Sequence, residues 1–141
     1  MAHDLTAYVA LIAGDRFDGA TGSGGQAAMA PADEHATTGA ISPMEALLLA
    51  LGGCLGMAVA PILRKMRQQV TRYEIHVSGA LTERPPRVFE AIAVEHHIVG
   101  SGLDAAAIER ALELAETRYC GASAMLGKAA RITHRLIITQ E

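Results

Sequence analysis

Residues 42–66, SPMEALLLALGGCLGMAVAPILRKM, constrain this chain more than any other stretch. From Ala46 to Leu63 no side chain is charged, a run of about 18 residues, which is the length at which a membrane span becomes possible. The run starts sharply. Ser42 suits the N-cap, Pro43 the first helical position, and Glu45 completes an S-x-x-E capping box. The helix is expected to continue to about Gln69, with Arg64, Lys65 and Arg67 favourably placed at its C-terminal end. Gly52, Gly53, Gly56 and Pro61 are poor choices for a lone span. A soluble helix that is apolar all round must be covered all round. One small sheet covers one side, so a second copy of the chain is expected on the other. The Gly52/Gly56 spacing would let a partner backbone approach there, and no membrane insertion is expected.

The rest of the chain supplies what the helix packs on. TAYVALIAG reads as a strand, and GDRFDGATGSGGQAAMA breaks repeatedly at glycine, as a meander does. PADEHATTGAI reads as a polar loop. After the helix, YEIHVSGAL and RVFEAIAVEHHIVG alternate with period two. Ile92, Val94, His96 and Ile98 then share one face of the second strand. A second helix is expected from Asp104 to Tyr119, with Ile108, Ala111, Leu112 and Ala115 on its apolar face. Cys120-Gly121 interrupts it, a short helix follows, and RITHRLIIT closes as a strand. The order points to a single α+β domain over residues 1–141 with an antiparallel sheet.

Composition excludes several functions. The formal net charge is -3 and Trp is absent, so neither an electrostatic footprint nor a stacking platform for nucleic acid is expected. The N-terminus lacks a basic segment followed by a long apolar core, so a cytoplasmic protein is expected rather than a secreted one. His96 and His97 are neighbours in a strand and point to opposite faces, and His76 and His134 sit mid-strand. These read as exposed or satisfied strand histidines. No H-x-x-x-H or carboxylate spacing signals a metal, and ATGSGGQ reads as a turn rather than a phosphate cradle. Neither metal nor cofactor is expected. Ser123 reads as a helix cap.

Two cysteines, Cys54 and Cys120, lie far apart in sequence and form no C-x-x-C pair. Their surroundings, SPMEALL…GGC and ALELAETRYCGASAMLGKA, resemble the OsmC/Ohr family of thiol-dependent hydroperoxide reductases, in particular its small, less-studied OsmC-like members. The resemblance covers nearly the whole chain. It implies an intertwined homodimer with sheets wrapped around long central helices. It further implies a peroxidatic role for Cys54, a resolving role for Cys120, an organic hydroperoxide as substrate and a thiol or dithiol as reductant. The family supports its thiolate with an arginine of the N-terminal strands, held by a glutamate early in the cysteine helix. Arg16 is the arginine that precedes the helix. Met44 stands where the family glutamate would be, and Glu45 follows it, so Arg16 and Glu45 are the residues carried over. Two rival expectations remain. One is a non-enzymatic OsmC-like dimer that binds a small apolar or thiol-reactive ligand. The other is a plain dimer with inert core thiols.

Overall fold

A computed structural model describes residues 4–33 and 38–141, so part of the expected polar loop lies outside the described residues. The chain divides into an N-terminal unit, Met1–Leu47, and a C-terminal unit, Leu48–Glu141.

The N-terminal unit is an antiparallel sheet of β1 (Ala7–Ala13), β2 (Arg16–Thr21) and β3 (Gln26–Met29) in sequential order. Gly14 and Gly24 take positive φ at its two turns, where a side chain would be strained. Tyr8, Val9, Leu11 and Ile12 are all exposed. Among the described residues of this unit no hydrophobic side chain is buried.

Helix α1 spans Pro43–Lys65 and runs through Pro61. Its start follows the capping box: Glu45 N–H donates to Ser42 Oγ (3.3 Å) and Ser42 N–H to Glu45 Oε1 (3.0 Å). It stops four residues short of the expected end. Arg67 adopts φ 57°, Gln68 N–H donates to the Leu63 carbonyl (3.0 Å) and Arg67 N–H to that of Arg64 (3.0 Å). This is a Schellman ending, and it uses arginine where glycine is usual. The following residues enter β4 instead.

In the C-terminal unit, β4 (Gln69–Leu81), β5 (Phe89–Ser101) and β6 (Arg131–Gln140) form one sheet. β4 and β5 are antiparallel, but β6 runs parallel to β5, so this sheet is mixed rather than wholly antiparallel. A parallel return requires a long crossover. Helix α2 (Ala105–Leu114), a π-helical turn (Ala115–Tyr119) and α3 (Gly121–Leu126) provide it. The alternation expected for β5 holds: Ile92, Val94, His96 and Ile98 are fully buried. Val59 and Leu63 of α1 join Ile98, Ile108, Ala111, Leu112 and Ala115 in the core.

One buried histidine needs an explanation, because an unpaired polar ring in a core is costly. Tyr73 Oη pairs with His96 Nδ1 (2.7 Å) and His96 Nε2 with His134 Nδ1 (3.2 Å), so that a neutral His96 donates through one ring nitrogen and accepts through the other. His96 is thus satisfied on both sides. Burial, then the neighbouring His134 and His97, holds its pKa down at about 4, so it stays neutral. His134 Nε2 approaches Glu116 Oε1 (3.3 Å), on the π-helical turn, without hydrogen-bond alignment.

The apolar helix is a core helix: Leu51, Leu55, Val59 and Leu63 form its buried line. The expectation that its Gly52/Gly56 face meets a partner chain is corrected. A methyl group at Gly52 would lie 3.2 Å from Val77 Cγ2, and one at Gly56 3.1 Å from Ile75 Cδ1, so these glycines admit β4 of the same chain. The apolar face left open carries Leu49 (60% exposed), Gly53 and Met57 (81%). Gly56→Leu should therefore lower the unfolding free energy by about 1–3 kcal/mol through overpacking. Chemical denaturation monitored by circular dichroism would show it as an earlier midpoint.

Candidate functional site

Cys54 lies mid-way along α1, between the buried Leu51 and Leu55, and is itself half-buried. Cys120 arrives from the other end of the crossover. The backbone widens from α-helix to π-helix over Ala115–Tyr119, and Cys120 N–H closes the turn onto the Ala115 carbonyl (2.8 Å). Such π turns often occur at functional sites. Cys120 then turns extended (φ -88°, ψ 102°) and becomes the N-cap of α3, its Sγ accepting from Ser123 N–H (3.3 Å). The cap is thus the thiol and not Ser123, which is buried within α3.

The two thiols lie near enough to act on each other's ionisation, and the Gly121 and Ala122 amides act on that of Cys54. Both cysteines are free. The balance of forces differs between them. Burial is the largest single effect on Cys54 and pushes its pKa up. The Ala122 N–H, the Cys120 thiol and the Gly121 N–H together outweigh it, so Cys54 sits below the ordinary thiol value. Burial likewise pushes Cys120 up. Contacts with Ser123 pull against this, but Cys54 adds to the rise and Cys120 ends above the ordinary value. Cys54 is therefore the thiol that ionises first. An open cleft of about 510 Å³ adjoins Cys54. Met57, Ala58, Pro61 and Ile62 make its walls apolar, and Lys65 and Tyr119 add polar ends.

The other two residues carried over from the family pattern lie in the N-terminal unit. Arg16 opens β2 and lines a cleft of about 600 Å³ with Asp15, Asp33 and Thr38. Glu45 forms the capping box, and its hydrogen bonds to Ser42 hold its carboxyl below the usual range. Within the C-terminal unit, the groups that lower the Cys54 pKa are Cys120, Gly121 and Ala122. Sequence reasoning looked for a cation and missed these amides, because backbone donors leave no mark in residue identity. Cys120-Gly121, a break between two helical patterns, was the available signal.

The sequence from residue 35 to 135 matches the model of the OsmC-like protein family. The chain belongs to the OsmC-like protein family. Protein YhfA of Escherichia coli K12 is 38% identical over 130 residues, which is 92% of this chain and 95% of that one. A crystal structure of a protein from Aquifex aeolicus VF5 superposes with a TM-score of 0.88 at 25% identity, over 99% of both chains. An organic hydroperoxide resistance protein, OsmC, of Legionella pneumophila has the same fold, with a TM-score of 0.71 at 16% identity over 97% of this chain and 98% of that one.

The amide account of the OsmC-like thiol site is testable at Gly121. Proline is tolerated at a first helical position after an extended residue, and no atom lies within 4 Å of a Cβ placed there. Gly121→Pro should remove one donor and keep the fold. Its Cys54 alkylation profile with iodoacetamide should shift to higher pH than that of the parent. In the parent, Cys54 should react ahead of Cys120 near neutral pH.

Proposed function

We propose that this OsmC-like protein reduces organic hydroperoxides in the cytoplasm, with Cys54 as nucleophile and Cys120 as resolving thiol. The observation that carries the reading is the pairing of the two free thiols, each acting on the other's ionisation, with Cys54 biased toward thiolate and Cys120 toward thiol beside an apolar cleft. The Cys54 thiolate attacks the distal peroxide oxygen. The O–O bond breaks, and the alkoxide takes a proton and leaves as an alcohol. Cys54 is then a sulfenic acid. Cys120 loses its proton and attacks the Cys54 sulfur, hydroxide leaves as water, and a disulfide forms. An external dithiol returns both cysteines to thiols and is itself oxidised. The apolar cleft beside Cys54 suits an alkyl peroxide better than hydrogen peroxide.

In this reading the two units form one OsmC-like domain, and the working species is a homodimer. The sheet of the N-terminal unit exposes Tyr8, Val9, Leu11 and Ile12, and α1 exposes Leu49 and Met57. Apolar surface of this kind marks an interface. Arg16 is carried in the proposal as positive charge for the peroxide-bound state. Glu45 is carried as the support of the first turn of α1. A ligand-binding role without turnover is the second reading. It is favoured by the engagement of Glu45 in the cap, which competes with its holding an arginine.

Turnover of cumene hydroperoxide with dithiothreitol separates the readings. Cys54→Ser should abolish it. Cys120→Ser, treated with the peroxide in the absence of dithiothreitol, should be oxidised once and yield a sulfenic acid on Cys54 that dimedone traps. Arg16→Ala should lower kcat/KM about tenfold, equivalent to about 1.4 kcal/mol. Glu45→Ala should instead lower the thermal midpoint, through loss of the acceptor for Ser42 N–H, and leave turnover unchanged. Peroxide binding without turnover in the parent protein would favour the binder.

A further inference from the structure

The outer face of the β4–β5 ribbon carries a second constellation, apart from the thiols. Glu74-Ile75-His76 on β4 and Glu95-His96-His97 on β5 are both E-x-H segments. Paired antiparallel in the register Glu74↔His97 and His76↔Glu95, they set each glutamate opposite a histidine on one face. The His76 and His97 rings lie diagonally, with centroids 4.4 Å apart and planes at 35°. One donor atom each from His76, His97 and Glu95 falls within 4.8 Å of the others.

We propose that His76, His97 and Glu95 form a binding site for a divalent transition-metal ion of the zinc class. Two imidazoles and one carboxylate suit Zn²⁺, Ni²⁺ or Cu²⁺ and not the all-oxygen preference of Mg²⁺. Bond lengths of about 2.0–2.2 Å need the donors somewhat closer than they stand, and the half-exposed side chains reach that by turning about their own bonds. Surrounding contacts divide the carboxylates. Glu95 Oε1 faces His97 Nε2 (3.2 Å), and Arg135 holds Glu95 Oε2 (3.3 Å), which orients Oε1 toward the imidazoles. Glu74 is engaged by Arg72 (2.6 Å), with its other oxygen 3.7 Å from His76 Nε2. That leaves Glu95 as the ligating carboxylate and a fourth position open to water. Bound metal would clip β4 to β5, and the sequence spacing alone hides it because the two histidines come from different strands.

Isothermal titration of the full chain with Zn²⁺ tests this. The thiols are removed as rival ligands by working in the Cys54→Ser/Cys120→Ser background. One Zn²⁺ per chain should bind, with a raised Tm, and Mg²⁺ should not compete. His76→Ala and His97→Ala should each weaken binding at least about tenfold, and the isosteric Glu95→Gln should weaken it too. Cu²⁺ bound in place of Zn²⁺ should give a nitrogen-ligated electron paramagnetic resonance signal that His97→Ala alters. No binding, or binding that His76→Ala and His97→Ala leave unchanged, would overturn the proposal.

Discussion

The mutual influence of Cys54 and Cys120 depends on two segments being held against each other, and most of the C-terminal unit serves that end. On one side, α1 is fixed by a buried line of Leu51, Leu55, Val59 and Leu63. Its glycines at 52 and 56 let Val77 and Ile75 of β4 come close. On the other side, α2 packs Ile108, Ala111 and Leu112 into the same core. The π turn that follows sets Cys120 at the start of α3. The Tyr73–His96–His134 chain extends from β4 through the sheet and brings His134 Nε2 within 3.3 Å of Glu116 Oε1 on that turn.

The electrostatics follow from this placement. A thiol taken partly out of water is driven toward its neutral form. At Cys54 that effect is the largest single one, yet it is outweighed by two backbone amides and a neighbouring thiol acting together. The same neighbourhood pushes Cys120 the other way. Two chemically identical groups thereby acquire different tendencies, Cys54 toward thiolate and Cys120 toward thiol. That is the division of labour a thiol pair needs before it meets an oxidant.

Much of this was legible in the residues. The capping box at Ser42 and Glu45, the buried alternation of β5 and the break at Cys120-Gly121 follow from local rules that tertiary packing did not override. The misses have a common cause. The Schellman ending at Arg67 lacks the glycine that would announce it. The parallel pairing of β6, the packing of Gly52 and Gly56 on β4 and the meeting of His76 with His97 depend on which strand lies beside which, and a single strand's pattern does not contain that. The Gly121 and Ala122 amides are carried by every residue type except proline.

The central claim is that Cys54 and Cys120 act as one redox pair within a chain. The most direct measurement is peptide mapping under non-reducing conditions after one equivalent of tert-butyl hydroperoxide, with free thiols blocked at quench. A single product is expected, a peptide pair joined through Cys54 and Cys120 of the same chain, with the loss of two hydrogens in the intact mass. Recovery of both cysteines as blocked free thiols, or a disulfide only between chains, would contradict it.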